Sequence, residues 1–285
     1  MNRQHLSNCK MGLYEQPNSW QCGPFALKHG LLAHGLFAHE DALARAAGST
    51  EAHGTDERQL MGAARDHGCV LRLERYHTAH TARRALLRLL GDHIPVLLCV
   101  DQWDHWVTAV GADDAHVVVL DSHYDTVVRL ELWDAYLRRV GYPHRLGGWG
   151  PRVAWYDLHP LLARGETGMR MALTTERARH LLATPAEIRM TLADRARQLA
   201  PFATRAGRRS GSVALGPWIA EFGAQRAPAV SAQTLEAWAF TAEIFEVRCD
   251  TDRLPEVIRL IAGSVERPAV PSAYAKQGSA VPVAT

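Results

Sequence analysis

The spacing of apolar residues changes near residue 93, and this change narrows the folds open to the chain more than any other feature. Between Cys22 and Gly91 the apolar positions recur at helical intervals. Beyond Ile94 they gather into short β-branched runs separated by turn residues. The first helix is predicted over 22–37, with apolar residues at 22, 25/26, 32/33 and 36/37. Pro24 has no N–H to donate and is tolerated only in a first turn, so this helix must begin near Cys22. Further helices are predicted at 40–47, 56–67 and 82–90, the last capped by Thr81, with Gly48, Gly68 and Gly91 at their ends. The runs 94–100, 105–110, 116–121 and 126–130 predict antiparallel strands, followed by a short helix at 131–139 and another strand at 153–157. Helices first and a sheet afterwards predict an α+β domain over residues 1–160.

From residue 161 the character is helical again and rich in Ala and Arg. Helices are predicted near 174–183, 185–200, 232–247 and 254–263, giving a helical accessory domain over 161–267. The stretch 207–212, Gly-Arg-Arg-Ser-Gly-Ser, is expected to be a linker, and the Pro/Ala/Ser/Val-rich stretch 268–285 a flexible tail. The net charge of +2 is too small to suggest nucleic acid as a partner. The charge is uneven, however: residues 161–210 hold 10 Arg against 4 acidic residues, a candidate surface for a protein partner. No run approaches the ~18–20 apolar residues of a membrane span, and the N-terminus lacks the apolar region of a signal peptide. The expected location is cytoplasmic.

Five cysteines, at 9, 22, 69, 99 and 249, form no disulfide framework or zinc spacing. Free thiols suit a reducing compartment. Cys69 and Cys99 lie in apolar runs and are expected in the core. No cofactor or metal is expected. The His77/His80 and Asp121/His123 spacings make no known ligand motif, and the glycines at 147, 148 and 150 lack the lysine of a phosphate loop.

Cys22 is in a different position. A thiol attacks as the thiolate, and the aligned peptide dipoles of a helix N-terminus lower its pKa. Gly23 beside it permits close approach of a substrate. A base must then come from elsewhere in the chain. His105 opens one strand and Asp121 closes the next. With the intervening turn centred on Asp113, paired positions total 226, which sets 105 directly against 121. Cross-strand neighbours lie ~4.5–5.5 Å apart at Cβ, so Asp121 would orient His105 as a triad requires. Gln16, six residues before Cys22, is placed to donate to an oxyanion together with the Cys22 N–H. Trp20 and Trp103, each two residues before a reacting group, are candidates to line a substrate groove. Trp106 is expected in the core.

The ordered set Gln16-x5-Cys22-Gly23-Pro24, Gly54-Thr55, Gly68, Asp104-His105-Trp106-x-Thr108-x-Val110-Gly111 and Val119-Leu120-Asp121 resembles the papain-like bacteriocin-processing peptidases, or double-glycine leader peptidases. The resemblance covers residues 14–160. It implies a bacterial thiol protease with a papain-like fold, a helical half carrying the cysteine and an antiparallel sheet half carrying the histidine and aspartate. Residue by residue it implies nucleophile, base, orienter and oxyanion donor at Cys22, His105, Asp121 and Gln16. The family's usual proline after the aspartate is Ser122 here. Its members are typically fused to membrane transporters and cut after Gly-Gly. This sequence shows neither a span nor a nucleotide-binding motif, so the expected activity is that of a soluble peptidase on a peptide or protein, its exact substrate open. The same triad also suits a transglutaminase, deamidase or acyltransferase. From another class, a non-catalytic peptide-binding module of peptidase fold is the rival.

Overall fold

The computed structural model describes residues 12–145, 152–165, 167–204 and 211–264. The expected tail at 268–285, most of the expected linker, and Cys9 lie outside these residues. Among the described residues, no helix is long and apolar enough to cross a membrane.

The helical half consists of α1 (Cys22–Ala33), α2 (Glu40–Ala46) and α3 (Glu57–Asp66). A 3-10 turn, Ser19–Gln21, leads directly into α1, which starts where Pro24 requires. It ends at Ala33, short of the expected 37, because Gly35 takes a left-handed φ of 69° and turns the chain away. Asp56 and Gln59 form a reciprocal capping box at the start of α3. The next helix, α4 (Ala79–Gly91), begins a turn earlier than expected. Thr78, not Thr81, is its cap: the Thr78 hydroxyl accepts from the Thr81 N–H at 3.2 Å.

The sheet half contains β1 (Cys69–Leu71), β2 (Glu74–Tyr76), β3 (Val96–Val100), β4 (His105–Ala112), β5 (His116–Leu120), β6 (Val128–Leu132), β7 (Tyr142–Arg145) and β8 (Arg152–Ala163), with α5 (Trp133–Val140) after β6. The main strand order is β1-β8-β3-β4-β5-β6, with β2 and β7 also on β8, and every pairing is antiparallel. Strands of the centre are apolar at nearly every position because both faces are covered. Val96, Leu98, Val100, Val117 and Val119 pack with α4 and α5. Leu97, Cys99 and Trp106 pack with α1–α3. Cys69, Cys99 and Trp106 are buried, as expected.

The C-terminal region is mainly helical: α6 (Thr175–Ala183), α7 (Ala186–Met190), α8 (Leu192–Leu199), α9 (Leu215–Arg226), α10 (Ala232–Ile244) and α11 (Leu254–Ser264), with a small sheet of β9 (Ser212–Ala214) and β10 (Arg248–Asp250). The expected fold class, helical half, antiparallel sheet half and helical C-terminal region, is the one observed. The C-terminal helices share one apolar cluster with Leu32, Val110, Val118, Leu120 and Val128 of the first two parts. The Met171 N–H donates to the Ala33 carbonyl at 2.8 Å, at the end of α1. Several of the arginines noted in the sequence are engaged internally. Arg170 pairs with Glu246, Arg177 with Glu243, and buried Arg195 donates to the hydroxyls of Thr241 and Thr191.

A side chain at Gly111 would meet the backbone carbonyl of Leu173, where no flexible atom can give way. Gly62, inside α3, has open space around it. Gly111→Ala is therefore expected to destabilise by ~1–3 kcal/mol through overpacking. Gly62→Ala is expected to be neutral or to stabilise by up to ~1 kcal/mol through helix propensity. Urea unfolding of both variants beside the parent checks the pair.

Candidate active site

Cys22 is the first residue of α1, preceded by Gln21 at the cap, where no side chain caps the helix. Cys22 is buried, 6% exposed. Gly23 packs against the opposite loop: a Cβ there would lie 2.7 Å from the Cβ of Thr55. The close approach of Thr55 is what excludes a larger residue at 23. Thr55 is fixed in turn, its hydroxyl 2.6 Å from that of Ser49 and its carbonyl accepting from the Trp106 indole at 3.0 Å.

His105 and Asp121 meet, though not in the register expected. Thr108 pairs with Leu120 and Ala112 with Val117, so paired positions total 228 and then 229 across a bulge between Ala109 and Gly111. The Asp113 carboxylate accepts from the N–H groups of Ala115 and His116, at 2.8 and 2.7 Å. This places the turn's centre later than Asp113. Beyond Leu120, the residue opposite Asp121 by this register is Val107, and His105 stands two residues away along the diagonal. A slip of two, unlike a slip of one, leaves both side chains on the same face. Diagonal neighbours remain within reach of an aromatic side chain, and His105 Nε2 lies 2.7 Å from Asp121 Oδ1. A carboxylate only accepts, so Nε2 carries the proton. The other ring nitrogen is left free to serve the thiol of Cys22, which lies close enough to act on the imidazole electrostatically.

The electrostatics follow from this geometry. Burial alone would lower the pKa of His105, but the hydrogen bond to Asp121 and the nearby Cys22 outweigh it and hold the imidazole up to about 9, from an ordinary 6.5. Burial would raise Asp121. Its bond to His105, the His123 N–H and the charge of Arg139 prevail and bring it down to about 2. Asp121 is fully buried and has both oxygens occupied. Oδ1 accepts from His105 and from the His123 N–H at 3.1 Å, and Oδ2 from Arg139 at 3.2 Å. Burial pushes the thiols of Cys69, Cys99 and Cys249 up to about 11, 12 and 11.

Gln16 is buried beside this group. Its Nε2 donates to the carbonyls of Asn18 and Ser19, at 3.0 and 3.1 Å, and its Oε1 accepts from the Ser122 hydroxyl at 2.7 Å. The Gln16 N–H also donates to the Ser122 carbonyl at 2.8 Å. Ser122, where the resembled family has proline, thus ties the chain after Asp121 to Gln16 through a hydroxyl that proline lacks. Trp20 is half-buried in the 3-10 turn. Trp103 is 45% exposed and lines a cleft of about 390 Å³ with Tyr142, His144 and Trp155. Neither Cys22 nor His105 lines that cleft.

One neighbour escapes a reading by motif: Arg139. Thr55 and Ser122 stand inside recognisable segments. Arg139 is one of two adjacent arginines at the end of α5, and nothing in the spacing distinguishes it. The cluster His39, Glu40 and Asp41 has its donor atoms close together, but Glu40 is occupied by Lys28 and the Tyr14 hydroxyl.

No family model matches the chain, and no curated protein sequence does. Among solved structures, the chain is similar over 52% of its length to a double glycine motif protease from an AMS/PCAT transporter in complex with the leader peptide. That match covers 90% of the protease chain at 14% identity, with a TM-score of 0.37. It is also similar over 52% of its length to the peptidase domain of Streptococcus ComA, a bifunctional ABC transporter of a quorum-sensing pathway. There the match covers 97% of the domain at 14% identity, with a TM-score of 0.38.

Asp121→Asn removes the charge while burial remains, so the His105 pKa is expected to fall from about 9 toward or below 6.5. NMR titration of the imidazole measures it. The parent His105 favours the folded state most below 6.5 and loses that contribution as pH rises through about 9. The variant is expected to lack this alkaline loss.

Proposed function

We propose that the protein is a cysteine peptidase, with Cys22 as nucleophile, His105 as acid and base, and Asp121 as the group that orients the imidazole. One observation carries this reading: an imidazole hydrogen-bonded to a buried carboxylate lies within electrostatic reach of a thiol at a helix N-terminus. The Cys22 thiolate attacks the carbonyl carbon of a peptide bond. The oxygen takes up the negative charge, and His105 gives its proton to the leaving amine. Water, deprotonated by the now neutral His105, then attacks the thioester and returns the thiol.

The Cys22 N–H at the uncapped end of α1 is a natural donor to the oxyanion. Gln16 is the second donor in this reading. It must exchange one of its two carbonyl partners, Asn18 or Ser19, for the substrate oxygen. The substrate is a peptide or protein, and Trp20, Gly23 and Trp103 are the proposed binding residues. A peptide with Gly-Gly before the scissile bond is the first substrate to try, since the neighbour solved with a leader peptide is a double glycine motif protease.

Iodoacetamide at pH 7, with the labelled cysteine found by mass spectrometry, is expected to modify Cys22 at least ~10-fold faster than Cys69, Cys99 or Cys249, a thiolate being the reacting form. Equal rates would sink the reading. On the Gly-Gly peptide, Cys22→Ala is expected to abolish hydrolysis. Gln16→Ala is expected to lower kcat by ~10²–10³-fold, the usual loss for one oxyanion donor. An unchanged kcat would remove Gln16 from that role.

A further inference from the structure

We infer that Arg139 is a positioning residue that locks the carboxylate of Asp121 and the turn before His105 into one rigid unit. The inference rests on the proposed triad and adds a member to it.

The side chain of Arg139 is 21% exposed and surrounded by three carboxylates. Its Nε lies 3.1 Å from Asp101 Oδ1. One terminal nitrogen lies 2.9 Å from Asp101 Oδ2 and 3.2 Å from Asp121 Oδ2. The other terminal nitrogen donates to Glu131. The backbone takes part as well: the Asp101 N–H donates to the Arg139 carbonyl at 2.9 Å. A planar fork of five donors meets such a set, whereas an ammonium offers a single point of charge.

These contacts sit on both sides of His105. On one side is the turn Asp101–Asp104, where Asp101, Gln102 and Trp103 have φ of 55°, 63° and 72°. Three consecutive non-glycine residues in the left-handed region are each unfavourable and persist only where surrounding contacts hold them. Arg139 supplies such contacts at the first of the three. On the other side is Asp121, whose Oδ1 is bonded to His105. With Oδ2 bonded to Arg139, the carboxylate cannot rotate away from the imidazole. One side chain on α5 therefore fixes both the start of β4 and the orienting group.

Other charged or titratable groups face the pair. Cys22 on α1, Cys99 on β3 and His123 after β5 surround His105, with the His123 ring centroid 5.6 Å from that of His105. Glu131 on β6 also bonds Arg139, with Arg129 beyond it. None of these bridges Asp121 to the turn.

The test is the rate of Cys22 alkylation by iodoacetamide from about pH 5 to about pH 10, beside a thermal melt, since thiolate fraction sets the rate. In Arg139→Met, the thiol is expected to become reactive only at higher pH, with the rate at pH 7 falling ~10-fold, because a misplaced imidazolium no longer supports the thiolate. Arg139→Lys keeps the charge and loses the fork, and is expected to share the shift. A purely structural role would lower the melting temperature and leave the pH of onset unmoved in both variants, which would overturn the inference. Parental behaviour in Arg139→Lys would also overturn it. If Arg139→Met fails to fold, Asp101→Asn carries the test at a half-exposed side chain, with a smaller shift in the same direction expected and an unmoved onset refuting it. If parental Cys22 reacts no faster than the buried cysteines, the triad reading itself fails. If it reacts fast and the variants match it, only the role of Arg139 fails.

Discussion

Lys28 is a charged side chain with 2% of its surface exposed, and α1 lies buried on all sides with that charge inside. Its ammonium lies 3.6 Å from a Glu40 carboxylate oxygen and donates to the Gly12 carbonyl at 3.0 Å. It also stands about 4 Å from the ring centres of Tyr14 and Phe25. Burial outweighs these partners enough to lower its pKa to about 8. Removing either member of so buried a pair leaves an uncompensated charge. With the charge matched, α1 packs against α2 and α3, against the sheet and against the C-terminal helices together. The Thr108 hydroxyl on β4 donates to the Ala26 carbonyl at 2.7 Å and fixes the helix against the sheet. The position of Cys22 relative to His105 is thus set by a helix that has no free side.

The site follows from that arrangement. A helix terminus supplies the thiol, a strand start the imidazole and a strand exit the carboxylate, so three elements from two layers converge at one end of the sheet. The pKa directions follow from contacts rather than from residue type. All four described cysteines are buried, yet Cys22 alone among them lies at a helix N-terminus and acts on the charge of the His105 imidazole.

Much of this was legible in the sequence, and the gaps have physical causes. The start of α1 followed from Pro24, and the central strands from runs of apolar β-branched residues. The meeting of His105 and Asp121 was anticipated from a symmetric hairpin, but the pair meets diagonally. Two features of the hairpin cannot be deduced from spacing: the Asx turn at Asp113 and the bulge after Ala109. Strands β1, β2 and β7 are three or four residues long and exist because β8 pairs with them. Helix α9 was missed because Gly216, Pro217 and Gly223 interrupt its pattern. At Gly216 a side chain would press on the Ala239 carbonyl at 2.9 Å, so close packing against α10 requires glycine there. Arg139 was invisible because its role depends on three carboxylates distant in sequence.

The turn at Asp101–Trp103 has a bearing on how the protein could change over generations. Glycine would relax all three left-handed positions, and a sequence drifting toward greater stability would find that path open. It would lose the carboxylate that Arg139 holds and the indole that stands 4.9 Å from the Tyr142 ring. Stability and activity therefore pull in opposite directions at these residues, and variants selected for heat resistance alone are apt to lose function there first.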